Sequence, residues 1–244
     1  MTLVLALICT DGILMASDGQ STFTTVAGPM RLPSEKIRPL GNRILWGGSG
    51  DVGLLQKIGV VIGDIPDNNL GRPITKLRPE IRAKVWGDQK DAAEKYLPIR
   101  KEFPTPTAHV LFAGHDKERP WILEIDPNGT DTQLEEYGFA SVGSGAHFVY
   151  AVLSGFGKQP WTLKTGKIAC YKVVHEAINV AAFGLGPPIQ IWELPKGGAP
   201  RCLAETEIHA IRDTYEGWTQ VQLEELGQLT ALPGGLETTP AASE

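Results

Sequence analysis

Thr2 is the residue of this chain whose chemistry is easiest to state. It comes directly after Met1, and its side chain is of the small kind that lets an initiator methionine be trimmed. Trimming would leave an α-amine and a hydroxyl on one residue. An α-amine titrates near pKa ~8, so it can take the hydroxyl proton at neutral pH and make the threonine a nucleophile that carries its own base. A Met-Thr start alone is common by chance, so the weight falls on the residues downstream of it. Asp18 stands in Asp18-Gly19-Gln20 and Lys36 in Lys36-Ile37-Arg38. Gly47-Gly48-Ser49-Gly50 runs into Asp51, and Ser144 lies in Gly143-Ser144-Gly145. Taken singly, each has a plain explanation. Asp18 is a strand-end turn residue, and Lys36 is a solvated surface lysine. The glycine run is a loop before a helix, or an anion site. Ser144 is a helix N-cap.

Other chemistries are poorly represented. The five histidines (His109, His115, His147, His175 and His209) show no metal-ligand spacing, and the glycine run lacks the Lys-Ser/Thr of a phosphate-binding loop. No cofactor or metal is expected. A formal net charge of -5 disfavours nucleic acid or an anionic membrane as partner. The three cysteines, Cys9, Cys170 and Cys202, match neither a disulfide framework nor a zinc spacing and fit a reducing cytoplasm. The apolar run from Leu3 to Cys9 has no basic segment before it, is interrupted by Asp11-Gly12 and is too short to span a bilayer, so it reads as a buried strand.

The elements that must position these residues begin with that strand. The runs Leu3–Cys9 and Ile13–Ala16 flank Thr10-Asp11-Gly12 and predict an N-terminal β-hairpin. A two-residue Asp-Gly turn would pair Thr2 with Ser21, whereas a three-residue loop would pair Thr2 with Gln20 and Val4 with Asp18. Only the second places Thr2 and Asp18 on one face, so it is expected if Asp18 serves Thr2. A polar stretch with Gly28, Pro29 and Pro33 comes next. A second hairpin turns at Gly41-Asn42 and ends in the glycine run. Asp51 starts a helix with apolar positions at Val52, Leu55, Ile58 and Ile62, and a longer helix covers roughly Thr75–Tyr96. Strands are expected at Thr107–Ala113, Trp121–Ile125, Ala140–Val142 and Ile189–Leu194. Helices are expected at about Ala146–Gly155, Leu163–Ala182 (capped by Thr162) and Glu205–Tyr215. Strands and helices come in separate blocks, which favours packed sheets with helices outside. At 244 residues the chain reads as one domain over residues 1–231, with a disordered tail at 232–244 rich in Pro, Gly, Thr and Ala.

In this order and spacing, Thr2, Asp18-Gly19-Gln20, Lys36-Ile37-Arg38, Gly47-Gly48-Ser49-Gly50-Asp51 and Ser141-Val142-Gly143-Ser144-Gly145 with Phe148-Val149-Tyr150 resemble the proteasome β-subunit family. The likeness covers roughly residues 2–195. The first two triplets look closest to the bacterial HslV branch and Gly143–Leu153 looks closest to 20S β subunits, which leaves open a related bacterial proteasome homologue of neither main type. The resemblance implies an α+β, N-terminal-nucleophile hydrolase fold: a four-layer αββα sandwich of two antiparallel sheets. It also implies that Thr2 Oγ attacks a scissile carbonyl with its own amine as base. Lys36 would lower the pKa values of Thr2 by its charge, and Asp18 would hold Lys36. The Gly47 N–H would stabilise the oxyanion, and Ser144 would hydrogen-bond the Thr2 amine. Gln20, Leu45 and Ser49 lie where the family lines its main specificity pocket, and Leu45 points to an apolar residue before the scissile bond.

The resemblance further implies a cytoplasmic threonine peptidase, exposed by loss of Met1, that acts on peptide or unfolded protein. It would work in a homo-oligomeric ring, single or stacked, of about six or seven subunits, fed by an ATP-dependent unfoldase. The chain departs from the family in two places. Lys36 falls slightly late, which enlarges the Phe23–Pro33 loop. Where the family carries an Arg-Asp pair and then Ser-Gly-Gly, this chain reads Ala181-Ala182-Phe183-Gly184-Leu185-Gly186-Pro187-Pro188, so that either Asn179 or water supports the Thr2 amine or the base is poorly tuned. A catalytically silent ring subunit, or a non-proteolytic amidase or transpeptidase, are the alternatives.

Overall fold

The first hairpin sets the frame. In the computed structural model, which describes residues 2–25, 28–96, 105–116, 119–156, 160–180 and 184–230, β1 (Val4–Cys9) pairs antiparallel with β2 (Gly12–Ser17). The register runs from Val4 opposite Ser17 to Cys9 opposite Gly12, with Thr10 and Asp11 as the turn. This is neither of the two registers expected from Asp11-Gly12, and tertiary partners explain the difference. Asp11 is drawn away, its Oδ1 accepting the Leu163 N–H at 2.7 Å. Gly12 sits in the ladder because a Cβ there would lie 2.7 Å from the Leu194 carbonyl oxygen. The expectation that only a three-residue loop could bring Asp18 to Thr2 is therefore corrected. The ladder ends at Ser17, and Asp18 reaches the N-terminus through its side chain.

β1 and β2 lie inside a five-stranded sheet ordered β10-β1-β2-β11-β12, with β10 at Phe139–Val142, β11 at Gln190–Pro195 and β12 at Arg201–Cys202. A second five-stranded antiparallel sheet runs β5-β6-β7-β8-β9, with β5 at Ile37–Leu40, β6 at Ile44–Gly50, β7 at Ala108–Asp116, β8 at Arg119–Ile125 and β9 at Asp131–Gln133. Alternation along the strands sorts the side chains into layers. Val4, Ala6, Ile13 and Met15 meet Ile37, Leu45, Leu111 and Ala113 between the sheets. Outside the second sheet lie α1 (Val52–Gly63) and α3 (Ile74–Tyr96), joined by the single turn α2 (Asp67–Leu70). Their Leu54, Ile58, Leu77 and Ile81 pack with Trp46, Val110 and Phe112. On the other side α4 (Ala146–Ser154), α5 (Leu163–Val180) and α6 (Glu205–Thr230) cover Leu3, Leu5, Leu7 and Leu14. Each such fully buried leucine contributes about 2 kcal/mol. The result is the expected α+β sandwich, helices–sheet–sheet–helices.

Two segments differ from expectation. The polar stretch before Lys36 is a hairpin, β3 (Gln20–Thr25) with β4 (Gly28–Pro33). It lies outside both sheets with Met30 and Leu32 exposed, and none of its described side chains is buried, so no buried face among them imposes a hydrophobic alternation that sequence could show. The last helix runs on past Tyr215 to Thr230. Its first half packs through Ile208, Ile211, Tyr215 and Trp218, while Val221, Leu223 and Leu226 beyond are exposed. Residues 232–244, read as a tail, lie outside the described residues, as do 181–183.

Candidate active site

Thr2 stands just ahead of β1, and its main chain is held from the β10–α4 corner. Its N–H donates to Ser144 Oγ at 3.3 Å, and its carbonyl accepts the Gly145 N–H at 3.2 Å. Gly143 makes the corner possible. Its φ is +100°, and a side chain there would overlap the Thr2 carbonyl and meet Ser49 Oγ. The N-cap of α4 is Gly145, with no side-chain cap. Ser144 therefore does not act as the helix cap, and its hydroxyl faces Thr2.

Asp18 is fully buried where the chain leaves β2. Its carboxylate collects the Leu3 N–H at 3.0 Å and the Lys36 ammonium at 2.6 Å on Oδ1, and the N–H groups of Gln20 and Gly186, each at 3.3 Å, on Oδ2. The Lys36 side chain is only 4% exposed. Burial pulls its pKa below the ordinary lysine value, and the charge and hydrogen bond of Asp18 oppose that shift. Lys36 is thus not the solvated lysine that its sequence context allows. It is a buried ammonium with one carboxylate partner, directly after the chain returns from the β3–β4 hairpin.

Thr2 and Lys36 line one cleft of about 70 Å³, together with Ser21, Arg38, Trp46, Gly48, Gly50 and Leu55 among others. Leu55 reaches in because Gly48 has no side chain; a Cβ at 48 would lie 2.5 Å from Leu55 Cδ2. Gly47 lies one position back on β6, buried opposite Ile37, where a Cβ would stand 2.6 Å from the Lys36 carbonyl oxygen. Of the residues expected to line a specificity pocket, Ser49 sits beside Gly143 next to the Thr2 carbonyl, and Gln20 turns its amide onto Gly186. Leu45 does not line the cleft. It points into the inter-sheet layer and is fully buried, because alternation along β6 sends 45 inward and brings Trp46 and Gly48 to the cleft side.

The segment from Gly184 to Pro188 does not reproduce the Asp/Ser support of the resemblance; it does something else. Gly186 donates its N–H to Asp18 and accepts the Gly19 N–H at 2.9 Å. Asn179 is engaged elsewhere, its Nδ2 2.9 Å from His175 Nε2. The Gly186 contact was missed by sequence reasoning, although the Gly-Leu-Gly-Pro-Pro run that carries it was visible. Among the described residues no group of His, Cys, Asp or Glu could hold a metal ion, and no helix is long and apolar enough to cross a membrane.

The arrangement offers a main-chain nitrogen and hydroxyl at Thr2, a buried ammonium in the same cleft, and a carboxylate behind the ammonium. Comparisons with known proteins identify the family of the chain. The chain is 25% identical over 179 residues to the proteasome subunit beta of Methanothrix thermoacetophila, covering 73% of this chain and 80% of that one. It is 25% identical over 210 residues to the proteasome subunit beta of Nanoarchaeum equitans, covering 85% and 100%. The solved structure of the Anbu (Gly-1) mutant from Hyphomicrobium sp. strain MC1 shares the fold, with a TM-score of 0.68 at 13% identity over 93% of this chain and 97% of that one. The proteasome subunit family matches residues 2–186, the span that holds Thr2, Asp18, Lys36 and Ser144 together, and the chain belongs to that family as a β-type subunit.

Proposed function

We propose that this β-type subunit is a threonine endopeptidase whose nucleophile is Thr2 Oγ, freed for catalysis by removal of Met1. The observation that carries the reading is the shared cleft: Thr2 lines it with Lys36, and Lys36 is tied to Asp18 at 2.6 Å. In this reading the Thr2 amine takes the hydroxyl proton as Oγ attacks the scissile carbonyl, and later returns it to the leaving amine. The Lys36 charge lowers the proton affinity of both Thr2 groups. Asp18 positions Lys36, and Ser144 orients the amine. The Gly47 N–H, on the bare-backbone run of β6, is the donor assigned to the oxyanion. Ser49, beside the Thr2 carbonyl, and Gln20, against Gly186, border the site. Leu55, Val52 and Trp46 give the cleft an apolar wall, which favours an apolar residue before the scissile bond. The substrate is peptide or unfolded protein, handled in a cytoplasmic ring of identical subunits, stacked or single, and supplied by an ATP-dependent unfoldase.

One observation favours a second reading, a structural ring subunit without activity. In the Gly184–Pro188 segment the Gly186 N–H donates to Asp18 and the Gly186 carbonyl accepts the Gly19 N–H, and the Asn179 amide is paired with His175. Intact-mass measurement of the cell-made protein, with turnover of fluorogenic peptides by wild type and Thr2→Ala, separates the two. Loss of Met1 and turnover abolished by Thr2→Ala support the peptidase. Retained Met1, or a Met-free protein without turnover, supports the structural subunit.

A further inference from the structure

Lys36 is fixed at its ammonium by Asp18, but its main chain is fixed from a different side. Gln190 opens β11 opposite Ser17 of β2. Its Oε1 accepts the Lys36 main-chain N–H at 3.3 Å and the Ser17 hydroxyl at 3.4 Å. Its Nε2 donates to the Ser34 carbonyl at 2.9 Å. The partners fix the orientation of the amide: a main-chain N–H only donates and a carbonyl only accepts, so a flipped amide would lose both bonds. Ser34, Glu35 and Lys36 form the non-strand link between β4 and β5, which is also anchored by the Ser34 N–H on the Gly19 carbonyl at 2.9 Å. One side chain therefore grips this link on both sides of Glu35.

We propose that Gln190 is a positioning residue for the Lys36–Asp18 pair: its amide holds the link so that the Lys36 ammonium meets Asp18 beside Thr2 and out of water. The proposal rests on the peptidase reading for its effect on Thr2, but not for its effect on Lys36. It is not inherited from the family match, which ends at residue 186. Glu35 is exposed and Ser34 half-buried, so water replaces the lost bonds when the amide is removed, and the link moves outward. The ammonium then gains hydration and loses its hold on the site. The groups that face it are Asp18 from the end of β2, Thr2 from the start of β1, and Glu35 and Arg38 from its own link and strand, which line the same cleft.

The test compares full-length wild type with Gln190→Ala and Gln190→Glu. Glutamate keeps an acceptor for Lys36 and Ser17 but has no donor for Ser34. The first readout is the rate of Thr2 acylation by a β-lactone as a function of pH. The second is the titration of the Lys36 ε-carbon by NMR, assigned with Lys36→Arg. Gln190→Ala is expected to slow acylation about tenfold, move its acid limb up by about half a pH unit and raise the Lys36 titration. Gln190→Glu should slow acylation less. Unchanged acylation with an unmoved Lys36 titration overturns the proposal. So does a loss that is uniform across pH with Lys36 unmoved, the mark of a merely structural role. If wild-type Thr2 is not acylated, the peptidase reading fails, and the Lys36 titration alone decides the role of Gln190. If Gln190→Ala does not fold, Gln190→Met preserves the volume and carries the same readouts.

Discussion

The Lys36 ammonium meets Asp18 Oδ1 at 2.6 Å with the two side chains 4% and 0% exposed. A pair this deep is stabilising only as a pair. Removing one partner leaves a buried charge without compensation, at a cost of about 3–5 kcal/mol. Asp18→Asn is accordingly expected to lower stability to urea by about that amount and to cut peptide turnover by about 10²-fold or more. A stability loss below about 1 kcal/mol would show that the pair is not buried as described.

The direction of the Lys36 shift gives a pH dependence. Its folded pKa lies below the unfolded value of about 10.4 because burial outweighs the attraction of Asp18. Between those two values the unfolded chain binds more protons than the folded one, so the Lys36 contribution to stability rises with pH across that window and is flat below it. Arginine does not titrate there. The stability of wild type minus that of Lys36→Arg should therefore increase from the lowered pKa up to about pH 10.4. A flat or falling difference in chemical denaturation series would contradict the assigned direction.

Leu45 and Leu55 separate packing from recognition. Leu45 is fully buried between the sheets, so Leu45→Ala should cost about 2–5 kcal/mol and leave cleavage preference unchanged. Leu55 lines the cleft with Thr2, so Leu55→Ala should shift the relative kcat/KM of peptides that differ only in the residue before the scissile bond, toward larger apolar residues. Swapped outcomes would mean that the cleft is not where substrate side chains sit.

Gly143 tests the corner that holds Thr2. Its φ of +100° and the carbonyl of Thr2 against it leave no space for a side chain. Gly143→Ala is expected to destabilise by more than about 1 kcal/mol and to slow Thr2 modification at least tenfold beyond any loss of folded protein. Ser144→Ala, which removes only the hydroxyl acceptor at the Thr2 nitrogen, should slow modification with little change in melting temperature.

Much of the fold is legible in the sequence because its signals are local. The Asp51 cap, whose Oδ1 accepts the Leu54 N–H at 2.9 Å, and the apolar positions of α1, α3 and α5 mark helices. The unbroken apolar runs of β1 and β2 and the apolar positions of β11 mark buried strands. The features that were not legible depend on partners distant in sequence. Asp11-Gly12 favours a turn centred on itself, yet the Leu163 N–H and the Leu194 carbonyl decide its register. Leu45 reads as a pocket residue until the pairing of β6 shows which face it occupies. For the site, the order Thr2, Asp18, Lys36, Ser144 pointed to residues that do come together. The hydrogen bonds of Gly186 and Gln190 to that group join positions more than 150 apart in sequence, and no spacing rule reaches across that distance.

The assignment of Thr2 as the nucleophile is decided by incubating the purified protein with a β-lactone electrophile and locating the adduct by peptide mass spectrometry. One acyl group is expected on the hydroxyl of an N-terminal Thr2, absent in Thr2→Ala and formed far more slowly in Lys36→Ala. An unmodified Met-free Thr2, or an adduct elsewhere that survives Thr2→Ala, would contradict it.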